Sequence, residues 1–164
     1  MVRGRSADVG ESSMEEALVC ALQRLAFDTL RKEQDKVIRA FVSGRDVFAA
    51  LPIGYGKSLC FGLLPYVFDG LRKKTGSIVI CVSPLTSLMM DQRQKFSRYG
   101  LATEFVGEAQ QDLYAIARVK EGKIQLLYIS PESLLTNHQW REMLRSDVYQ
   151  ENLVALVVDE AHIV

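Results

Sequence analysis

From residue 47 onward, short unbroken apolar runs alternate with longer segments of helical periodicity. The strongest fall at 47–51, 78–82, 124–129 and 153–158, with a weaker strand candidate at 103–106. Strands buried on both faces read as continuous apolar stretches, so the pattern predicts a parallel α/β sheet covered on both faces by helices. Helices are expected from Lys57 until Pro65 kinks or ends the run, over 85–98 before Gly100, over about 111–120, and around 140–144.

Two further helices precede the alternation. Met14, Ala17, Leu18, Ala21, Leu22 and Leu25 share one helical face, and Ser13 with Glu16 has the spacing of a capping box. A second helix is predicted over 32–42, stopped at Gly44. Residues 1–12 are polar and small and predict a disordered tail, leaving 13–164 as one domain.

Composition narrows this little. Lys plus Arg and Asp plus Glu number 20 each, so no global charge points to nucleic acid or membrane, although a local row of donors would suffice for DNA. Cys20, Cys60 and Cys81 lack metal-ligand spacing and lie in apolar runs, which predicts buried free thiols in a reducing compartment. No signal peptide is evident, and Pro84 breaks the most apolar stretch, so a soluble intracellular protein is expected.

The chemistry-bearing residues follow predicted strands, where doubly wound sheets gather ligands. After 47–51 comes Pro52-Ile53-Gly54-Tyr55-Gly56-Lys57-Ser58. Glycines there let backbone N–H groups approach phosphate oxygens; Lys57 would contact the β- and γ-phosphates and Ser58 would ligate Mg²⁺. The bland alternative is a tight strand-to-helix turn, and Leu51 stands where the strict phosphate-loop pattern begins with glycine. After 153–158 come Asp159 and Glu160, one suited to a metal's water shell and the other to polarising an attacking water. Gln34 shares an apolar face with Val37, Ile38 and Phe41, so its carboxamide needs a partner: an adenine edge, or backbone at the rim of the core.

These stretches together resemble the first RecA-like domain of a superfamily-two helicase of the RecQ family. Leu30-Arg31-Lys32-Glu33-Gln34 is similar to that family's adenine-reading motif. "LPIGYGKSLCF" resembles its Walker A, whose first position is not normally glycine. "SPLTSLMMDQ" and "YISPESLL" match its next two motifs, and "VVDEAH" its Walker B. The resemblance spans residues 25–164.

It implies ATP and Mg²⁺ as cofactors and DNA, single-stranded or junctional, as partner, with no membrane; the implied activity is 3′-to-5′ unwinding driven by ATP hydrolysis. Arg31 and Gln34 would read adenine. Gly54, Tyr55, Gly56, Lys57 and Ser58 would hold the triphosphate, Ser58 and Asp159 the metal, and Lys57, Asp159 and Glu160 would serve hydrolysis. Ser83, Pro84, Thr86, Ser87, Ser130 and Glu132 resemble loops that touch the DNA backbone, and His162 would couple hydrolysis to DNA. The implied compartment is nuclear in a eukaryote and cytoplasmic in a bacterium.

Four residues depart from the family pattern. Leu25-Ala26 stand for Phe-Gly, Ile53 for threonine, and Tyr55 for a small residue that would be strained at φ > 0. Arg72-Lys73-Lys74 is expected to complement a helix end, Trp140 to be core, and His138 to lack a second ligand.

The resemblance also implies a second RecA-like domain carrying arginine fingers, and a strand between the Walker A and Walker B strands. Neither occurs in these 164 residues. The expectations are therefore a fragment, truncated gene model or degenerate copy, with negligible turnover alone and with 47–51 and 153–158 unbonded to each other. The alternatives are an inactive chain that binds nucleotide or DNA only, and a P-loop ATPase not acting on nucleic acid.

Overall fold

The computed structural model describes residues 10–160. His162 and most of the predicted tail, residues 1–9, lie outside them. The chain divides into two compact units, 1–75 and 76–164.

The first unit is helical: α1 (Glu11–Arg24), α2 (Lys32–Val42), α3 (Lys57–Gly62) and α4 (Leu64–Arg72). α1 has Gly10 as its N-cap, ahead of the capping box expected at Ser13, and no side chain caps it. It buries Met14, Ala17, Leu18 and Ala21. Cys20, expected to be buried, is exposed because successive helical residues turn about 100° and carry it to the opposite face. Cys60 and Cys81 are buried as expected, and burial pushes the Cys60 thiol up to about 11. α3 and α4 are nearly continuous through Leu63, which is right-handed helical, with Pro65 in the first turn of α4, where a missing N–H costs nothing.

The turn after α1 accounts for one departure from the family pattern. Leu25 is fully buried, and Ala26 has φ 55°, a conformation glycine adopts without penalty. Ala26→Gly is expected to stabilise the protein by about 1 kcal/mol, read as a rise in thermal midpoint.

The second unit holds a four-stranded parallel sheet in the order β2-β3-β1-β4: β1 (Ile78–Val82), β2 (Thr103–Val106), β3 (Leu126–Ile129) and β4 (Leu153–Val158). Between them run α5 (Thr86–Arg98), α6 (Leu113–Lys120), α7 (Pro131–Thr136), α8 (His138–Arg145) and α9 (Asp147–Asn152). β1, β2 and β3 are buried at every position, as the unbroken apolar runs of β1 and β3 require. Trp140, Met143 and Tyr149 pack into the same core, and the Tyr149 hydroxyl donates to the Val119 carbonyl at 2.6 Å.

β2 hides an acid in that apolar setting. The Glu104 side chain is 3% exposed and meets the half-exposed Arg118 at 3.2 Å and Arg93 at 3.4 Å. The two arginines come from α6 and α5, so one buried charge ties both helices to the strand.

The predicted strand at 47–51 does not form. Residues 47–50 are exposed, and Phe48 is 88% exposed. An apolar run becomes a strand only when a neighbour takes its N–H and C=O groups, and none does here. β4 is the sheet's last strand: β1 pairs with one side, from Val79–Ala155 to Val82–Val158, and no described strand pairs with the other. Leu156 and Val158 stand 42% and 49% exposed on it.

Candidate functional site

The glycine turn lies in the first unit. Gly54 and Gly56 have φ of 78° and 83°, so both use the left-handed region. Tyr55, between them, stays out of it: the glycines take up the turn, and the strain anticipated for Tyr55 does not arise. The Tyr55 N–H donates to the Pro52 carbonyl at 3.1 Å, closing the turn. Gly56 then caps α3, placing half-buried Lys57 and Ser58 in its first turn. Ile53 is fully exposed at the tip.

Gln34 holds this turn from α2. It is 4% exposed, and its Nε2 donates to the Tyr55 carbonyl at 3.1 Å and the Gly56 carbonyl at 3.0 Å. Its Oε1 accepts from the Arg31 N–H at 2.8 Å, fixing the start of the helix as well. The partner that Gln34 requires is therefore loop backbone, and both amide donors are already used. A Cβ on Gly56 would lie 2.8 Å from Gln34 Nε2, so glycine is what permits this approach.

The Tyr55 side chain is also engaged. The Arg31 guanidinium lies over its ring, 4.7 Å from the centroid, and its hydroxyl donates to the Glu33 carboxylate. That bond lowers the Glu33 pKa and raises that of Tyr55.

The second unit carries the acids. The Asp159 N–H donates to the Val82 carbonyl at 2.9 Å, extending the β1–β4 ladder by one bond. Its Oδ1 accepts from the Glu160 N–H at 3.0 Å, and Glu160 takes φ 53°, uncommon for a residue with a side chain. The Asp159 charge lies close enough to contribute to the raised pKa values of Cys81 and Tyr128, after the dominant effect of burial.

At the neighbouring strand ends, Ser83 is wholly buried, its hydroxyl without a partner among the described residues. In this arrangement it is not presented to a backbone phosphate, because the polypeptide covers it. Pro84 is half-buried, and Thr86 and Ser87 are exposed in the first turn of α5, which no side chain caps. The Ser130 hydroxyl caps α7 by accepting from the Ser133 N–H at 3.1 Å, and Glu132 is exposed in that helix's first turn. Trp140 is core, as expected. His138 is exposed and lies 3.5 Å from Glu142. Among the described residues no three His, Cys, Asp or Glu side chains are grouped to hold a metal ion, and no helix is long and apolar enough to cross a membrane.

Residues 31–164 match the family described as DEAD/DEAH box helicase. The chain belongs to that family. Curated relatives of this helicase domain include the ATP-dependent DNA helicase hus2/rqh1 of Schizosaccharomyces pombe, 33% identical over 92% of the chain and 11% of the relative. The ATP-dependent DNA helicase RecQ of Synechocystis is 36% identical over 92% of the chain and 29% of the relative, and RecQ of Haemophilus influenzae is 32% identical over 83% and 20%. The chain thus spans less than a third of the length of these relatives. A crystal structure of the DUF1998 helicase MrfA bound to DNA and AMPPNP shares the fold, with a TM-score of 0.69 at 18% identity over 99% of the chain and 23% of MrfA.

The RecQ resemblance and the α/β, RecA-like fold are thereby borne out, as is nucleotide use at the level of the family. Arg31, Gln34, the glycine turn and α3 stand together in one unit, and Asp159, Glu160 and the Ser83 and Ser130 strand ends in the other. Sequence reasoning missed Glu33 as the partner of Tyr55 and Glu104 as a buried charge; the signal for Glu104 was available, as one acid inside the run Thr103–Val106.

Proposed function

We propose that these residues form the nucleotide-binding lobe of an ATP-dependent, 3′-to-5′ DNA helicase of the RecQ type, acting inside the cell on single-stranded or junctional DNA. The carrying observation is the left-handed pair Gly54 and Gly56 ahead of Lys57 and Ser58, clamped by Gln34, in a chain of the helicase family. Backbone N–H groups and Lys57 hold the β- and γ-phosphates. Arg31 serves the adenine; Gln34 supports the turn and has one Oε1 lone pair left for a base.

The donor set fits Mg²⁺. The half-buried Ser58 hydroxyl and the Asp159 carboxylate, whose Oδ2 has no partner among the described residues, each suit an ion held largely by phosphate and water, which needs no all-protein cage. When bound, the ion neutralises charge developing on the phosphates. Asp159 orients its water shell and Glu160 polarises the water that takes the γ-phosphoryl group. Each unit carries its own part of the proposed machinery, Lys57 and Ser58 in the first and Asp159 and Glu160 in the second. Thr86, Ser87 and the N–H groups opening α5 would meet the DNA backbone, with Pro84, Ser130 and Glu132 beside them and Ser83 supporting the loop from within. His162 is assigned the coupling role.

The test is equilibrium ATP binding by the 164-residue chain. Lys57→Ala is expected to weaken it at least tenfold, about the worth of one charge-assisted contact. Turnover of the chain alone is expected to stay below about 1 s⁻¹. Linked to a second RecA-like domain, the chain should hydrolyse ATP faster with single-stranded DNA, and Glu160→Gln should abolish the stimulation. Unchanged ATP binding by Lys57→Ala would sink the phosphate-loop reading.

A further inference from the structure

Tyr55 makes three separate connections to the start of α2. Its carbonyl accepts from Gln34 Nε2 at 3.1 Å, its hydroxyl donates to Glu33, and its ring lies under the Arg31 guanidinium. Arg31 nevertheless remains exposed. Glu33 bonds the far end of the ring and the closed turn anchors its near end, so the ring is tethered at both ends. A planar, delocalised cation held flat against an aromatic ring has a second face, and that face suits another π-system. Gln34, meanwhile, spends both amide donors on the loop, which leaves little hydrogen-bonding capacity to recognise a base.

We propose that Tyr55 is a positioning residue for base recognition: it backs one face of the Arg31 guanidinium so that the opposite face is a preset stacking surface for a purine. The proposal rests on the nucleotide-site reading above and adds to it the source of base selectivity. The base contact is stacking on a Tyr55–Arg31 pair anchored by Glu33, more than hydrogen bonding by Gln34. A preset guanidinium loses less side-chain freedom on binding than a free one, and only ligands with a base benefit.

The experiment compares binding of ATP and of inorganic tripolyphosphate, which has the phosphates and no base, by competition against a fluorescent ATP analogue. Tyr55→Ala is expected to weaken ATP about two- to fivefold, the range of an exposed cation–π contact, and to leave tripolyphosphate unchanged. Tyr55→Trp should restore ATP binding, since it keeps a ring of greater π-area. Tyr55→Phe, which loses only the Glu33 bond, should fall between. Equal losses for both ligands would reduce Tyr55 to a structural part of the loop, and tighter ATP binding by Tyr55→Ala would make the ring an obstruction; either result overturns the proposal. Lys57→Ala separates this from the underlying reading: it should weaken both ligands, and if it alters neither, the phosphate loop itself is wrong and the Tyr55 role falls with it.

Discussion

Gly56→Ala is expected to destabilise the first unit by about 3–4 kcal/mol and to weaken ATP binding with it. Holding a Cβ at φ 83° costs roughly 1–2 kcal/mol. The new methyl would also lie 2.8 Å from Gln34 Nε2, driving the carboxamide off the Tyr55 and Gly56 carbonyls, and each hydrogen bond lost costs about 1 kcal/mol. Gly54→Ala is the control. Its φ of 78° imposes the same conformational cost, but a Cβ there meets nothing within 4 Å, so only about 1–2 kcal/mol is expected. Thermal denaturation of both variants, with the Gly56→Ala/Gln34→Ala double, checks the account. Removing Gln34 first should make Gly56→Ala cheaper. Equal costs for the two glycine variants would show that Gln34 is no clamp.

The second large effect lies at Glu104 and is asymmetric. Arg93→Met with Arg118→Met leaves a carboxylate 3% exposed and uncompensated, and about 3 kcal/mol or more of destabilisation is expected. Glu104→Gln should cost much less, because the half-exposed arginines can turn to water. Urea melts of the parent, the double variant and Glu104→Gln at neutral pH measure it. A double variant as stable as the parent at neutral pH would mean that the ion triad contributes nothing.

Most elements whose burial is decided by their own residues were legible in the sequence. β1, β2, β4 and α2 have the limits that the apolar runs and the Gly44 stop predict, because each is a run of one periodicity bounded by a breaker. What depends on distant partners was not. The 47–51 run has strand composition and forms no strand, since pairing belongs to the neighbour as much as to the run. Gln34 was recognisable as an amide needing a partner, but the carbonyls that satisfy it come from residues 21 and 22 positions away. The conflict foreseen at Tyr55 came from treating it alone; its neighbours Gly54 and Gly56 absorb the positive angles and leave its side chain free to reach Arg31 and Glu33. Asp159 and Glu160 were singled out because two adjacent carboxylates end an apolar run.

The placement of β4 bears on those acids. β1 is bonded on both sides, by β3 and by β4, so opening it breaks two ladders, whereas opening β4 breaks one. Local unfolding free energy therefore falls from the middle of the sheet towards the strand that delivers Asp159. Amide hydrogen exchange should run in that order, slowest in residues 78–82 and fastest at the outward-facing amides of 153–158. Asp159, assigned above to the metal, is thus carried by the strand that yields most readily, so the stiffness of the acid pair rests on the single β1–β4 ladder.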